Sequence, residues 1–171
     1  RHVKEKDSDC VVIVADPMTN PTSVSIDFAK HAEKIGADVI SCIFMERYHH
    51  DEQVYDHFKA IADSVKIPII IYNIPGRSVV DMTIDTMVKL SKKENILGVK
   101  DATNDLFRPL LTQTMMKKNF CYLSGEDGTA LAYLAQGGQG CISVTANVAP
   151  YLCSQMHQAW REKDIEKSQY I

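Results

Sequence analysis

Lys100 and Tyr72 each stand at the end of an apolar run, "ILGVKDAT" at 96–103 and "PIIIYNIPGRS" at 68–78. A lysine drawn into an apolar strand sheds hydration, which depresses its pKa and frees the amine as a nucleophile. Such an amine can condense with a carbonyl compound to form a Schiff base. The plainer alternative is an ion pair from Lys100 to Asp101 or Glu126. The Tyr72 phenol, with an ordinary pKa of about 10, could relay protons beside a cationic or iminium nitrogen. It could equally be a half-buried aromatic whose hydroxyl bonds to backbone. Arg77 follows the "NIPG" turn, and its five donors suit a carboxylate or a structural ion pair.

The elements that must position these groups recur along the chain. Six β-rich runs, "VVIVA" (11–15), "DVISCIF" (38–44), "PIIIYN" (68–73), "ILGVKDA" (96–102), "CYLSG" (121–125) and "CISVTAN" (141–147), begin 20 to 30 residues apart. Helical periodicity lies between them, with apolar faces Val24, Phe28, Ala32 and Ile35 in 22–35, Val54, Phe58, Ile61 and Ala62 in 51–65, and Ile84, Met87, Val88 and Leu90 in 83–94. Thr83 is placed to cap the last of these, with Asp85 in its first turn. Strands alternating with helices predict a parallel α/β sheet in a single domain. An open doubly wound sheet and a closed (β/α)8 barrel share this pattern, and six units are too few to close the barrel.

Both architectures bind ligands at the carboxyl ends of the strands. That rule selects Tyr72, Arg77, Lys100, Asp101, Ser124, Glu126, Asp127, Ser143, Thr145 and Asn147. Other motifs carry less. "GGQG" at 137–140 precedes a strand and lacks dinucleotide-loop spacing, so it reads as a helix stop. The "RYHHDE" cluster at 47–52, with His57, has metal-ligand residue types but no pair with H-E-x-x-H spacing, and reads as a solvated loop and first helical turn.

Composition narrows the function classes. The 171 residues are 45% hydrophobic and 24% charged with a formal net charge of −3, which gives no electrostatic reason for nucleic-acid or membrane binding. No run of about 18 apolar residues occurs, and the first ten residues, "RHVKEKDSDC", lack the apolar core of a signal peptide. The expected location is the cytoplasm, where the five cysteines, without a C-x-x-C pair, would be free thiols.

The ordered series "YNIPGRS", "GVKDAT", "LSGED" and "GGQGCISVTANVAP" resembles the pyruvate-dependent class I aldolases, strongly from about residue 54 to 160. Within them it is most similar to the dihydrodipicolinate synthase branch. The resemblance implies a (β/α)8 barrel of which units three to eight are represented, with the first two units and the C-terminal helices absent from this sequence. It implies that Lys100 forms the Schiff base with pyruvate and that Tyr72 relays protons. Arg77 would bind the carboxylate of the aldehyde, aspartate semialdehyde, while Gly125 and the Ile142 carbonyl shape the pyruvate pocket. It also implies no metal or organic cofactor, and a homotetramer of tight dimers with "FMERYH" at 44–49 in the dimer interface.

The sequence departs from that pattern in places. The family's "GTTGE" loop does not occur, and Glu46 stands where a partner-lent relay tyrosine is expected, with Tyr48 two residues away. Asn20, in "VADPMTN", falls near the family's lysine-inhibitor asparagine, but Val24 replaces a glutamate contact. Two alternatives are a non-catalytic relative or fragment acting as a structural or regulatory partner, and another pyruvate aldolase such as N-acetylneuraminate lyase. Arg77 argues against the second.

Overall fold

In the computed structural model, which describes residues 2–16, 21–45, 48 and 50–171, a short helix α1 (His2–Lys6) leads into alternating strands and helices. The strands are β1 (Ile13–Ala15), β2 (Val39–Ile43), β3 (Ile69–Asn73), β4 (Ile96–Asp101), β5 (Cys121–Ser124) and β6 (Gly140–Cys141). The helices between them are α2 (Thr22–Lys34), α3 (Asp51–Ser64), α4 (Pro75–Ser78), α5 (Ile84–Ser91), α6 (Phe107–Gln113) and α7 (Ala130–Ala135). Helices α8 (Pro150–Arg161) and α9 (Ile165–Tyr170) follow.

The strands pair in parallel in strict chain order, β1-β2-β3-β4-β5-β6. This order decides between the two architectures that periodicity leaves open. A doubly wound sheet reverses direction at a switch point and carries helices on both faces. Here the sheet never reverses, so crossovers of the usual right hand stack every helix on one face. The fold is an open portion of a (β/α) barrel.

Burial follows that winding. Cys42, Ile71, Val99 and Tyr122 are register partners under the helices and are buried. The next row, Ile43, Tyr72, Lys100, Leu123 and Gly140, faces the barrel interior, and from Tyr72 onward it is only half-buried. On the helix side Phe44, Phe58, Ile61, Met82, Met87 and Leu90 complete the core.

Two expectations require correction. In α2 Ala32 is buried as expected, but it shares that face with Ser25 and Ala29, whereas Val24 is 42% exposed and Ile35 55% exposed. Small side chains let the helix lie close on its neighbours, and that contact outweighs the larger apolar residues. The run at 141–147 is strand only at its start, and Thr145–Asn147 forms a 3-10 turn. The cause is Asp127, whose carboxylate accepts from the Val144 amide (2.9 Å), the Thr145 amide (3.0 Å) and the Ser143 hydroxyl. Amides that would extend the ladder go to a side chain instead. The other helices form as expected: all four predicted α3 positions are buried, and Thr83 caps α5 by accepting from the Thr86 amide.

Candidate active site

Ile69 pairs with Ile96, but Ile70 pairs with Gly98, so Leu97 is an extra residue in β4. A bulge of one residue exchanges the two faces of everything that follows. Counting from Ile69 and Ile96 without it, Tyr72 would oppose Val99 and Lys100 would point under the helices. With it, Tyr72 and Lys100 are direct partners on the interior face. Gly98 makes the neighbouring contact possible, because a β-carbon there would lie 2.5 Å from the Cys121 carbonyl oxygen on β5.

The Lys100 nitrogen lies over the Tyr72 ring, 4.0 Å from its centroid. This cation–π contact is worth on the order of 1 kcal/mol. Among the described residues Lys100 makes no ion pair, so the salt-bridge alternative is not formed. Asp101 faces the helices and accepts from the Thr103 amide (2.9 Å) and hydroxyl (2.7 Å). Burial pushes the Asp101 carboxyl up, and the bonds from Thr103 and the charge of Arg108 only partly offset it. Gly125 sits against Lys100 itself: a β-carbon there would be 3.1 Å from Lys100 Cε and 2.8 Å from Ala102 Cβ.

Arg77 lies in α4, the single helical turn after β3, exposed to solvent and without an ion pair among the described residues. Its turn ends at Val79, whose φ of 66° is left-handed, a strained conformation for a β-branched residue. Ile142 follows β6, and its amide donates to the Ser124 carbonyl (2.9 Å). Burial raises the Asp127 carboxyl, but the bonds from Ser143, Thr145 and Val144 outweigh it and hold the group below the usual range. Asp127 thereby fixes the turn that follows Ile142.

Several of the remaining candidates make bonds within their own turns or between helices. Ser124 Oγ donates to the Glu126 carbonyl, and the Asn147 amide group donates to the Val144 carbonyl. The Tyr48 hydroxyl is engaged with Thr22 Oγ1 (2.9 Å) and His57 Nδ1 (3.0 Å), between α2 and α3. Asn20, Glu46, Arg47 and His49 lie outside the described residues. Among the described residues no three His, Cys, Asp or Glu side chains gather as a cation would need. All five cysteines are free; Cys42 is buried and the other four are half-buried. No helix among the described residues is long and apolar enough to cross a membrane.

The sequence profile of the Dihydrodipicolinate synthetase family matches residues 1–171. The chain belongs to that family. It is 51% identical over 158 residues to the 4-hydroxy-tetrahydrodipicolinate synthase of Rhodospirillum centenum, covering 91% of this chain and 54% of that enzyme. It superposes on the crystal structure of the Bacillus anthracis dihydrodipicolinate synthase with a TM-score of 0.90 and 34% identity, over 99% of this chain and 58% of that one. The chloride-inhibited Acinetobacter baumannii dihydrodipicolinate synthase, solved with pyruvate, gives a TM-score of 0.89 at 34% identity, over 98% of this chain and 58% of that one. The chain thus spans little more than half the length of the relatives it matches.

Sequence reasoning about this family member missed three polar residues behind the site. Asn73, fully buried beside Tyr72, donates to Asp81 Oδ1 (2.7 Å) and accepts from the Met82 amide (3.2 Å). Arg108, only 7% exposed in the first turn of α6, reaches the same two residues. The available signal was an arginine within "LFRPLL", as isolated among apolar residues as Lys100.

Proposed function

We propose that this chain carries the greater part of the catalytic barrel of a 4-hydroxy-tetrahydrodipicolinate synthase, condensing pyruvate with L-aspartate 4-semialdehyde. The observation that carries this reading is the pairing of Lys100 with Tyr72, with no carboxylate among the described residues engaging the amine. The Lys100 amine would add to the pyruvate ketone and lose water to give an iminium. Loss of a proton from the methyl carbon then gives the enamine, with the nitrogen cation as electron sink. The enamine carbon attacks the aldehyde, whose oxygen takes up a proton to become a hydroxyl. The amino group of the semialdehyde next attacks the iminium carbon, closing the ring and releasing Lys100 by transimination. Tyr72 would relay the protons, and Arg77 would hold the semialdehyde carboxylate from its exposed turn. Gly125 leaves room for the Lys100 stem, and Ile142 would line the pyruvate side.

Borohydride reduction in the presence of pyruvate tests the central step. The expected product is a reduced three-carbon adduct on Lys100, located by peptide mass mapping. No adduct, or an adduct on Lys66 or Lys89, overturns the assignment.

A further inference from the structure

Resting on that reading of Arg77 and Lys100, we propose that Arg108 and Asp81 form a latch that positions the Arg77 turn and so sets selectivity for a carboxylate-bearing aldehyde. Arg108 Nη1 donates to Asp81 Oδ2 at 3.0 Å, and Nη2 donates to the Met82 carbonyl at 2.6 Å. Its Nε lies 3.8 Å from Asp101 Oδ2, at ion-pair distance to the residue that follows Lys100. Asp81 is held on its other oxygen by Asn73, the residue that follows Tyr72. One guanidinium therefore ties the far end of the segment 74–82 to both strands that carry the reacting groups.

The segment needs such a tie. It is closed from within by Ser78, whose hydroxyl bridges the Ile74 and Val80 carbonyls at 2.9 Å each. It also carries the left-handed Val79, a conformation that persists only where the surroundings over-determine it. Freed from Asp81 and Met82, the turn would relax toward an unstrained form, and the exposed Arg77 would lose its fixed aim. Arg108 touches neither substrate in this scheme; it acts through the turn, as a positioning residue. A bulky planar fork suits this better than a lysine, because two acceptors on consecutive residues are engaged at once.

The test uses the full-length protein and two variants. Asp81→Asn keeps an acceptor for Asn73 and turns a donor toward Arg108, and its half-exposed side chain leaves the core intact. Arg108→Lys keeps the charge but cannot span both acceptors. The first readout is hydrogen exchange at the Arg77, Ser78 and Val79 amides, which bond to the Ile74 and Pro75 carbonyls. The expected result is exchange about tenfold faster or more in both variants. The second readout is KM for aspartate semialdehyde against its carboxamide analogue: the preference for the carboxylate falls about tenfold, as for loss of one charge-assisted contact, while trapping of pyruvate on Lys100 is unchanged. Unchanged exchange at those three amides overturns the latch, and so does an unchanged preference for the carboxylate. If the parent traps no pyruvate on Lys100, the reaction assignment fails instead, and exchange at the three amides alone decides the latch.

Discussion

Tyr72 and Lys100 are partners across β3 and β4 because Leu97 bulges out of the ladder between them and the start of the strand. The candidate site thus depends on one unpaired residue, Leu97, three positions before Lys100, and on Gly98, whose hydrogen side chain faces the β5 backbone. Gly98→Ala should force the Cys121 carbonyl, 2.5 Å from the new carbon, to move. The expected cost is about 1–3 kcal/mol, the range for overpacking a well-filled interior. Denaturant unfolding measures it, and pyruvate trapping at Lys100 should fall in parallel as the register loosens.

Tyr72→Phe should fold as the parent does, since the β3–β4 register is made by backbone and the ring face that Lys100 covers is retained. Turnover should drop by about 10²–10⁴, the usual contribution of a general acid–base group. Steady-state kinetics beside a thermal melt separates the two effects. Turnover within twofold of the parent would make the phenol structural.

Much of this was legible in the sequence, and the failures share a cause. Strand starts, the α3 face and the Thr83 cap follow from local periodicity and capping chemistry, and the structure keeps them. Tyr72 and Lys100 were legible as polar residues in apolar company. Their adjacency was not, because the bulge at Leu97 is fixed by pairing between strands distant in sequence. The α2 face was legible only at Ala32; Ser25 and Ala29 share it in place of Val24 and Ile35, because closeness of approach selects them and hydropathy does not measure that. The end of β6 failed because Asp127, from an earlier loop, takes its amides. The roles of Asn73, Asp81 and Arg108 likewise exist only once β3, the following turn and α6 are brought together.

Gly125→Ala should act on the amine without touching its chemistry. The added carbon would stand 3.1 Å from Lys100 Cε and 3.2 Å from the Asp101 carbonyl oxygen, so the lysine stem must shift. The rate of imine formation with pyruvate should fall by at least about tenfold, the scale on which misplaced reacting groups lose rate. Stopped-flow trapping with borohydride reports it directly, and an unchanged rate would remove Gly125 from the site.

Asp127 gives a pH prediction of definite sign. Its carboxyl is held below the usual range in the folded protein, so its stabilising contribution is fully present above the unfolded value, about pH 4. It is lost as pH falls through the lower folded value, where the carboxylate is protonated and releases Ser143, Val144 and Thr145. Asp127→Asn should therefore flatten the acid limb of the stability curve below about pH 4, while leaving the curve's shape near neutrality alone. Urea unfolding midpoints from pH 2 to 7, as a rough range, measure it; identical acid limbs in parent and variant would show that this carboxylate does not set them.

The two ends of the sheet govern how this length of chain behaves in solution. Among the described residues β1 and β6 each pair on one side only, so both leave backbone donors and acceptors open. Apolar residues there are uncovered as well: Val11, before β1, is 61% exposed and Ile13, its first residue, 40%, and Val144 is 70% and Val148 86% exposed after β6. Open edges flanked by apolar surface favour pairing with another chain. These 171 residues expressed alone should therefore self-associate or aggregate. A longer chain that closes the barrel should instead assemble through other surfaces, as the homotetramer the family resemblance implies. Sedimentation velocity on both lengths distinguishes the cases. A monodisperse, cooperatively folding 19.2 kDa monomer of this length would show that the open edges are tolerated.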